Sequence, residues 1–79
     1  MEGKLIIVIE ENAPARVALC EVTRETAKFY YVKILRPDNF WLVPNKIQGI
    51  DSEHGPFIDK RDVFIDNATE QDYEHHRVV

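Results

Sequence analysis

Asp59, Asp62 and Asp66 fall within eight residues of one another, and His54 lies shortly before them. Carboxylates beside an imidazole are the materials of acid–base hydrolysis or of a small metal site, so catalysis would have to be sought here. The spacing is not diagnostic. No Gly-rich phosphate loop exists, because Gly3, Gly49 and Gly55 are isolated, and Ser52 near His54 has no nucleophile-elbow context. His75 and His76 are adjacent, so on a helix they diverge by about 100° and do not converge on one ion. A His54–His76–carboxylate metal site and a miniature metal-dependent hydrolase are accordingly the weakest readings. The expectation is a chain with no catalytic residue, no cofactor and no metal, its histidines and carboxylates facing solvent.

Binding chemistry is better represented. Phe29, Tyr31 and Lys33 alternate along one segment, Phe40 and Trp41 follow, and Arg24, Lys28, Lys33, Arg36 and Lys46 make this part of the chain locally basic. The acids collect later, at Asp51–Glu53, Asp59–Asp66 and Glu70–Glu74. Aromatic rings among charges can serve a protein interface or stack the bases of a single strand. The expected partner-binding residues are Phe29, Tyr31, Lys33 and Trp41, with the acidic positions Asp59 and Asp62 as a second surface.

The element that must position these rings is a hairpin spanning Ala18 to Leu35. Ala18, Cys20, Val22, Tyr30, Val32 and Ile34 are apolar or aromatic on even positions, while Glu21, Thr23 and Lys33 are odd, the period of a half-buried strand. The expected register sets 22 against 30, 20 against 32 and 18 against 34, with Glu25, Thr26 and Ala27 as the turn; a one-residue slip would bury Glu21 and Lys33. Phe29 and Tyr31 then occupy the hairpin's other face. They are either covered by the helix and long loop, as a satellite core, or left as an exposed patch.

Around the hairpin, Lys4–Glu10 reads as a strand covered on both sides, and Pro14 ends it. Arg36–Asn39 is a turn, Phe40–Val43 a short strand, and Lys46–Ile50 a weak one. Asp51–Lys60 is a loop pinned by Phe57 and Ile58, and Asp62–Asp66 is a last strand. Asn67 to Arg77 forms a short helix, with Thr69 and Asp72, or Asn67 and Glu70, as an N-terminal capping pair and Tyr73 and His76 inward. The expected fold is a single mainly-β domain of about five antiparallel strands with a short C-terminal helix. Its sheet is curled into an SH3-like, partly open barrel.

At 79 residues the core is modest and leaves little room for a deep cleft, which favours a binding module over a self-sufficient enzyme. A formal charge of -4 argues against a sequence-independent nucleic-acid binder, which needs clustered Lys and Arg. The lone Cys20 excludes an internal disulfide and sits on the buried face. The only apolar run near the start, Leu5–Ile9, is too short for a signal peptide or a membrane span, so a cytoplasmic protein without membrane contact is expected. An exposed edge at Lys4–Glu10 would make a homodimer possible.

The run Val22-Thr23-Arg24-Glu25-Thr26-Ala27-Lys28-Phe29-Tyr30-Tyr31-Val32, then Asp59-Lys60-Arg61-Asp62-Val63 and an acidic terminal helix, resembles short uncharacterised bacteriophage proteins. That resemblance spans about half the chain. It implies a small protein that binds a host enzyme or defence factor in the host cytoplasm and blocks or modulates it, without catalysis. No residue roles carry over. The leading expectation is thus a non-enzymatic protein-binding module; the alternative is a small SH3-like module for RNA or single strands, using Tyr31, Trp41 and the hairpin cations.

Overall fold

A computed structural model describes residues 3–11, 16–36, 38 and 43–76. Phe40 and Trp41, with the strand expected at Phe40–Val43, lie largely outside these residues, as do Pro14 and Arg77. Strands β1 (Leu5–Glu10), β2 (Arg16–Glu25), β3 (Phe29–Arg36), β4 (Phe57–Asp59) and β5 (Ile65–Asp66) form one antiparallel sheet in the order β4-β3-β2-β1-β5. A 3₁₀ turn at Lys60–Asp62 and helix α1 (Glu70–His76) complete it. The sheet is curled and half closed, the mainly-β architecture expected. Among the described residues no helix is long and apolar enough to cross a membrane.

The two faces of the sheet bury different sets. Ile6, Val8, Ala18, Cys20, Val22, Tyr30, Val32 and Ile58 form the inner core, and Val43 and Ile47 pack into it from the following loop. Ile7, Val17 and Leu19 lie on the other face under Ala68 and Tyr73 of the helical end, with Leu35 and Ile65 beside them. This is why Leu5–Ile9 is apolar at every position: β1 is covered on both sides, as a continuous run requires. β1 is not a bare edge, however, because β5 pairs with Ile6 and Ile7. The sheet's outermost strands are instead the three-residue β4 and the two-residue β5, and short edges discourage pairing with other chains.

The hairpin keeps the expected buried even face but not the expected register. Val22 pairs with Val32 and Cys20 with Ile34, two residues from the expected partners, and the parity is preserved. An extra residue in β2 at Thr23 then sets Arg24 opposite Tyr31 and Glu25 opposite Tyr30. The turn moves to Thr26–Lys28. Thr26 holds it, its N–H donating to the Phe29 carbonyl (2.9 Å) and its hydroxyl accepting from the Phe29 N–H (3.0 Å).

Three further expectations are corrected. Phe57–Asp59, expected within a loop, is β4, because Phe57 and Asp59 face one way and the fully buried Ile58 the other. The strand expected over Lys46–Ile50 shrinks to one bridge between Gln48 and Phe57, since Ile47 turns into the core. The strand expected over Asp62–Asp66 is only Ile65–Asp66, its first residue belonging to the 3₁₀ turn. In α1 the Thr69–Asp72 capping pair is present in both directions: Asp72 accepts from the Thr69 N–H (2.8 Å) and Thr69 from the Asp72 N–H (3.2 Å).

One polar cluster gathers at the hydroxyl of Tyr30, whose ring belongs to the inner core. The Lys4 ammonium donates to the Tyr30 hydroxyl (2.6 Å) and lies 3.0 Å from Asp66, to which Tyr30 also donates (3.1 Å). Lys4 is raised from 10.5 to about 12, first by its bond to Tyr30 and then by that to Asp66. Partial burial opposes the charge on Asp66, but the bonds from Lys4 and Tyr30 outweigh it, and its carboxyl sits below the usual 3.8. The signs follow from linkage. The Asp66 contribution is present above its unfolded value and fades as pH falls through the lower folded one; that of Lys4 is present below 10.5 and lost as pH rises towards about 12. Melting temperature measured against pH should therefore fall below about pH 4 and above about pH 10.5. Asp66→Asn should make the acid limb shallower and, by removing the smaller of the two bonds on Lys4, part of the alkaline one; an acid limb as steep in the variant as in the parent would show that Asp66 adds nothing.

Candidate functional site

The hydrolytic set does not assemble. Asp59 ends β4, caps the 3₁₀ turn by accepting from the Arg61 N–H (2.9 Å), and lies 3.3 Å from the Arg61 guanidinium. Those bonds, the backbone one first, hold its carboxyl below the ordinary value. Asp66 belongs to the Lys4–Tyr30 cluster, Asp62 ends the 3₁₀ turn, and His54 is exposed in the preceding loop. The Ser52 hydroxyl braces that loop against the carbonyls of Gly49 (2.8 Å) and Gly55 (3.1 Å). Cys20 is fully buried, and burial pushes its thiol up to about 12. Among the described residues no three His, Cys, Asp or Glu side chains gather to hold a metal ion.

The aromatic residues do assemble. Tyr31 pairs with Phe57 and Phe29 with Asp59 across β3 and β4, which brings all four onto the outer face. The Phe29 ring meets Phe57 edge-on at 5.5 Å (83°), and Tyr31 lies 5.7 Å from Phe57 at 43°. Contacts of this geometry add about 0.5–1.5 kcal/mol each beyond area burial, enough to fix ring orientation. The loop supports the group from the side: Gly49, at φ +70, brings its backbone against one edge of Phe57. All three rings remain half-buried. The outer face is thus divided. Helix α1 covers the Leu19–Leu35 end, while at the hairpin end the rings pack on one another, with the Gly49 loop beside them among the described residues.

Cations rim the rings. The Arg24 guanidinium lies 4.7 Å from the Tyr31 ring centroid, a stacking made possible by the extra residue at Thr23. Lys28 at the turn and Lys33 on β3 are exposed, and among the described residues neither has an ion-pair partner. Arg61 is paired with Asp59, yet its side chain is 90% exposed. Lys60 turns the other way, to Glu25 and the ring of Tyr30. Beside the turn, Ala27, Lys28, Asp59, Lys60 and Arg61 line a shallow hollow of about 330 Å³.

Of the sequence-derived candidates, Phe29, Tyr31 and Asp59 therefore come together, Lys33 stands beside them, Asp62 lies at the far end of the adjoining 3₁₀ turn, and Trp41 is outside the described residues. Phe57, the ring that joins the other two, reads in the sequence only as a loop anchor. Its signal is the alternation Phe57-Ile58-Asp59, three residues long and hidden behind Gly55-Pro56. Comparison with family models, with curated proteins and with solved structures returned no match, so the reading of this face rests on its own residues.

Proposed function

We propose that the chain is a non-enzymatic protein-binding module whose contact face is the outer surface of β3 and β4. In the context its phage-like sequence implies, it is an inhibitor or modulator of a host protein. One observation carries this reading: Phe29, Tyr31 and Phe57 form a half-buried aromatic group at the end of the sheet that α1 leaves open, rimmed by exposed Arg24, Lys28 and Lys33. A preorganised apolar centre with a polar rim is the anatomy of a binding hot spot.

The cations also suit a nucleic-acid strand, but the rings suit it less. Base stacking needs an open aromatic face, and here Arg24 lies over Tyr31 while Phe29 meets Phe57 edge-on and Gly49 abuts its rim. Affinity-tagged chain expressed in a bacterium should retain one host protein in stoichiometric amount. Combined Phe29→Ser and Tyr31→Ser should release it, with binding weakened at least about thirtyfold, the loss typical of hot-spot residues. Recovery of nucleic acid alone, or a partner retained undiminished by the double variant, would overturn the proposal.

A further inference from the structure

Resting on that reading, we infer that the partner segment is acidic and inserts a carboxylate into the hollow beside the hairpin turn, with a neighbouring apolar side chain seated on Phe29 and Phe57. The chain as a whole carries four more acids than bases, yet the lining of the hollow reverses the sign: Lys28, Lys60 and Arg61 stand against Asp59 and the Glu25 that pairs with Lys60. Local charge opposite to the overall charge favours encounter with an acidic surface through this face alone.

The hollow distinguishes a carboxylate from diffuse attraction. Its floor is fixed, because the Lys60 N–H donates to the Lys28 carbonyl (2.9 Å) and so ties the 3₁₀ turn to the hairpin turn. Lys28 and Arg61 therefore line one defined hollow rather than standing on independent loops. Arg61 offers Nε and Nη2 to Asp59 at 3.4 and 3.3 Å, long contacts that steer the guanidinium and leave its remaining N–H groups to solvent. A planar guanidinium with free N–H groups matches the geometry of a carboxylate. Asp59 both steers the guanidinium and takes part of its charge, so Lys28 is needed to complete the site. The rings of Phe29 and Phe57 begin on the same strands, β3 and β4, that lead into the two turns, which places the apolar and anionic subsites side by side.

The test uses the full chain as bait for a random-peptide display library, with a single-stranded oligonucleotide titrated in parallel. Enriched peptides should combine Asp or Glu with a nearby Leu or aromatic residue, and a synthetic peptide of that sequence should bind at least about tenfold more weakly to the Lys28→Glu/Arg61→Glu variant. Both substituted positions are exposed, and an unchanged melting temperature verifies the fold. Enriched peptides that lack acids but are lost with Tyr31→Ser would overturn the carboxylate subsite and leave the protein-binding face standing. No enrichment, or salt-steep binding of the oligonucleotide in place of peptides, would overturn both.

Discussion

Ile58→Ala is expected to cost about 3 kcal/mol and to lower the melting temperature by roughly 15 °C, a large part of the stability of a domain this small. Ile58 is fully buried and is the one residue of three-residue β4 that faces the inner core. It pairs with Tyr30, whose hydroxyl is already held by Lys4 and Asp66, so the surroundings have little freedom to collapse into the space left by the lost methyl and methylene groups. The same strand carries Phe57 and Asp59 on its other face. If the outer face is the contact surface, loss of the anchor should weaken partner binding as well as folding, while Ile58→Val, which keeps most of the volume, should cost only about 1 kcal/mol and leave binding intact. Denaturant titration of both variants measures the difference. A cost below about 1 kcal/mol for the alanine would mean that β4 does not depend on this side chain.

How much of this was legible depended on whether a residue's role was set by its neighbours in sequence or by distant strands. The even positions of the hairpin, the two-sided burial of β1 and the Thr69–Asp72 cap all follow from short-range patterns, and each is found. The hairpin register was not so determined. Two registers with the same parity bury the same even residues, and the choice between them is made by the Thr26 bonds to Phe29 and by the extra residue at Thr23, neither of which alters the apolar pattern. β4 escaped because its pairing partner is β3, more than twenty residues earlier, and because three residues carry too little periodicity to be read alone. Phe29 and Tyr31 were recognisable as an unassigned outer face, but the residue that unites them arrives only with β4.

The divided outer face also separates two demands that compete in small proteins. A sheet of this size needs one apolar face for its core, and α1 gives it part of a second through Ile7, Val17 and Leu19. Burying Phe29, Tyr31 and Phe57 under a longer helix would add further stability. Instead they pack on one another, with Arg24 over Tyr31. The arrangement leaves the rings half-buried and fixes them relative to one another.

Gly49→Ala tests whether the loop shapes that surface. At φ +70 an alanine is strained by about 1 kcal/mol, and its Cβ would stand 2.8 and 2.9 Å from two carbons of the Phe57 ring and 3.0 Å from the Gly55 carbonyl oxygen. The ring has little room to yield, being packed against Phe29 and Tyr31, so the total cost should reach about 2–3 kcal/mol. Gly55→Ala provides the control. Its φ is +81, but nothing lies within 4 Å of an added Cβ, so it should cost only the backbone strain of about 1 kcal/mol. The excess for position 49 isolates the displacement of Phe57. If the ring group is the contact face, Gly49→Ala should weaken partner binding at least about tenfold at a temperature where both variants remain folded, and Gly55→Ala should not. Equal stabilities and equal affinities for the two variants would show that Phe57 moves freely, and that the loop does not shape the ring group.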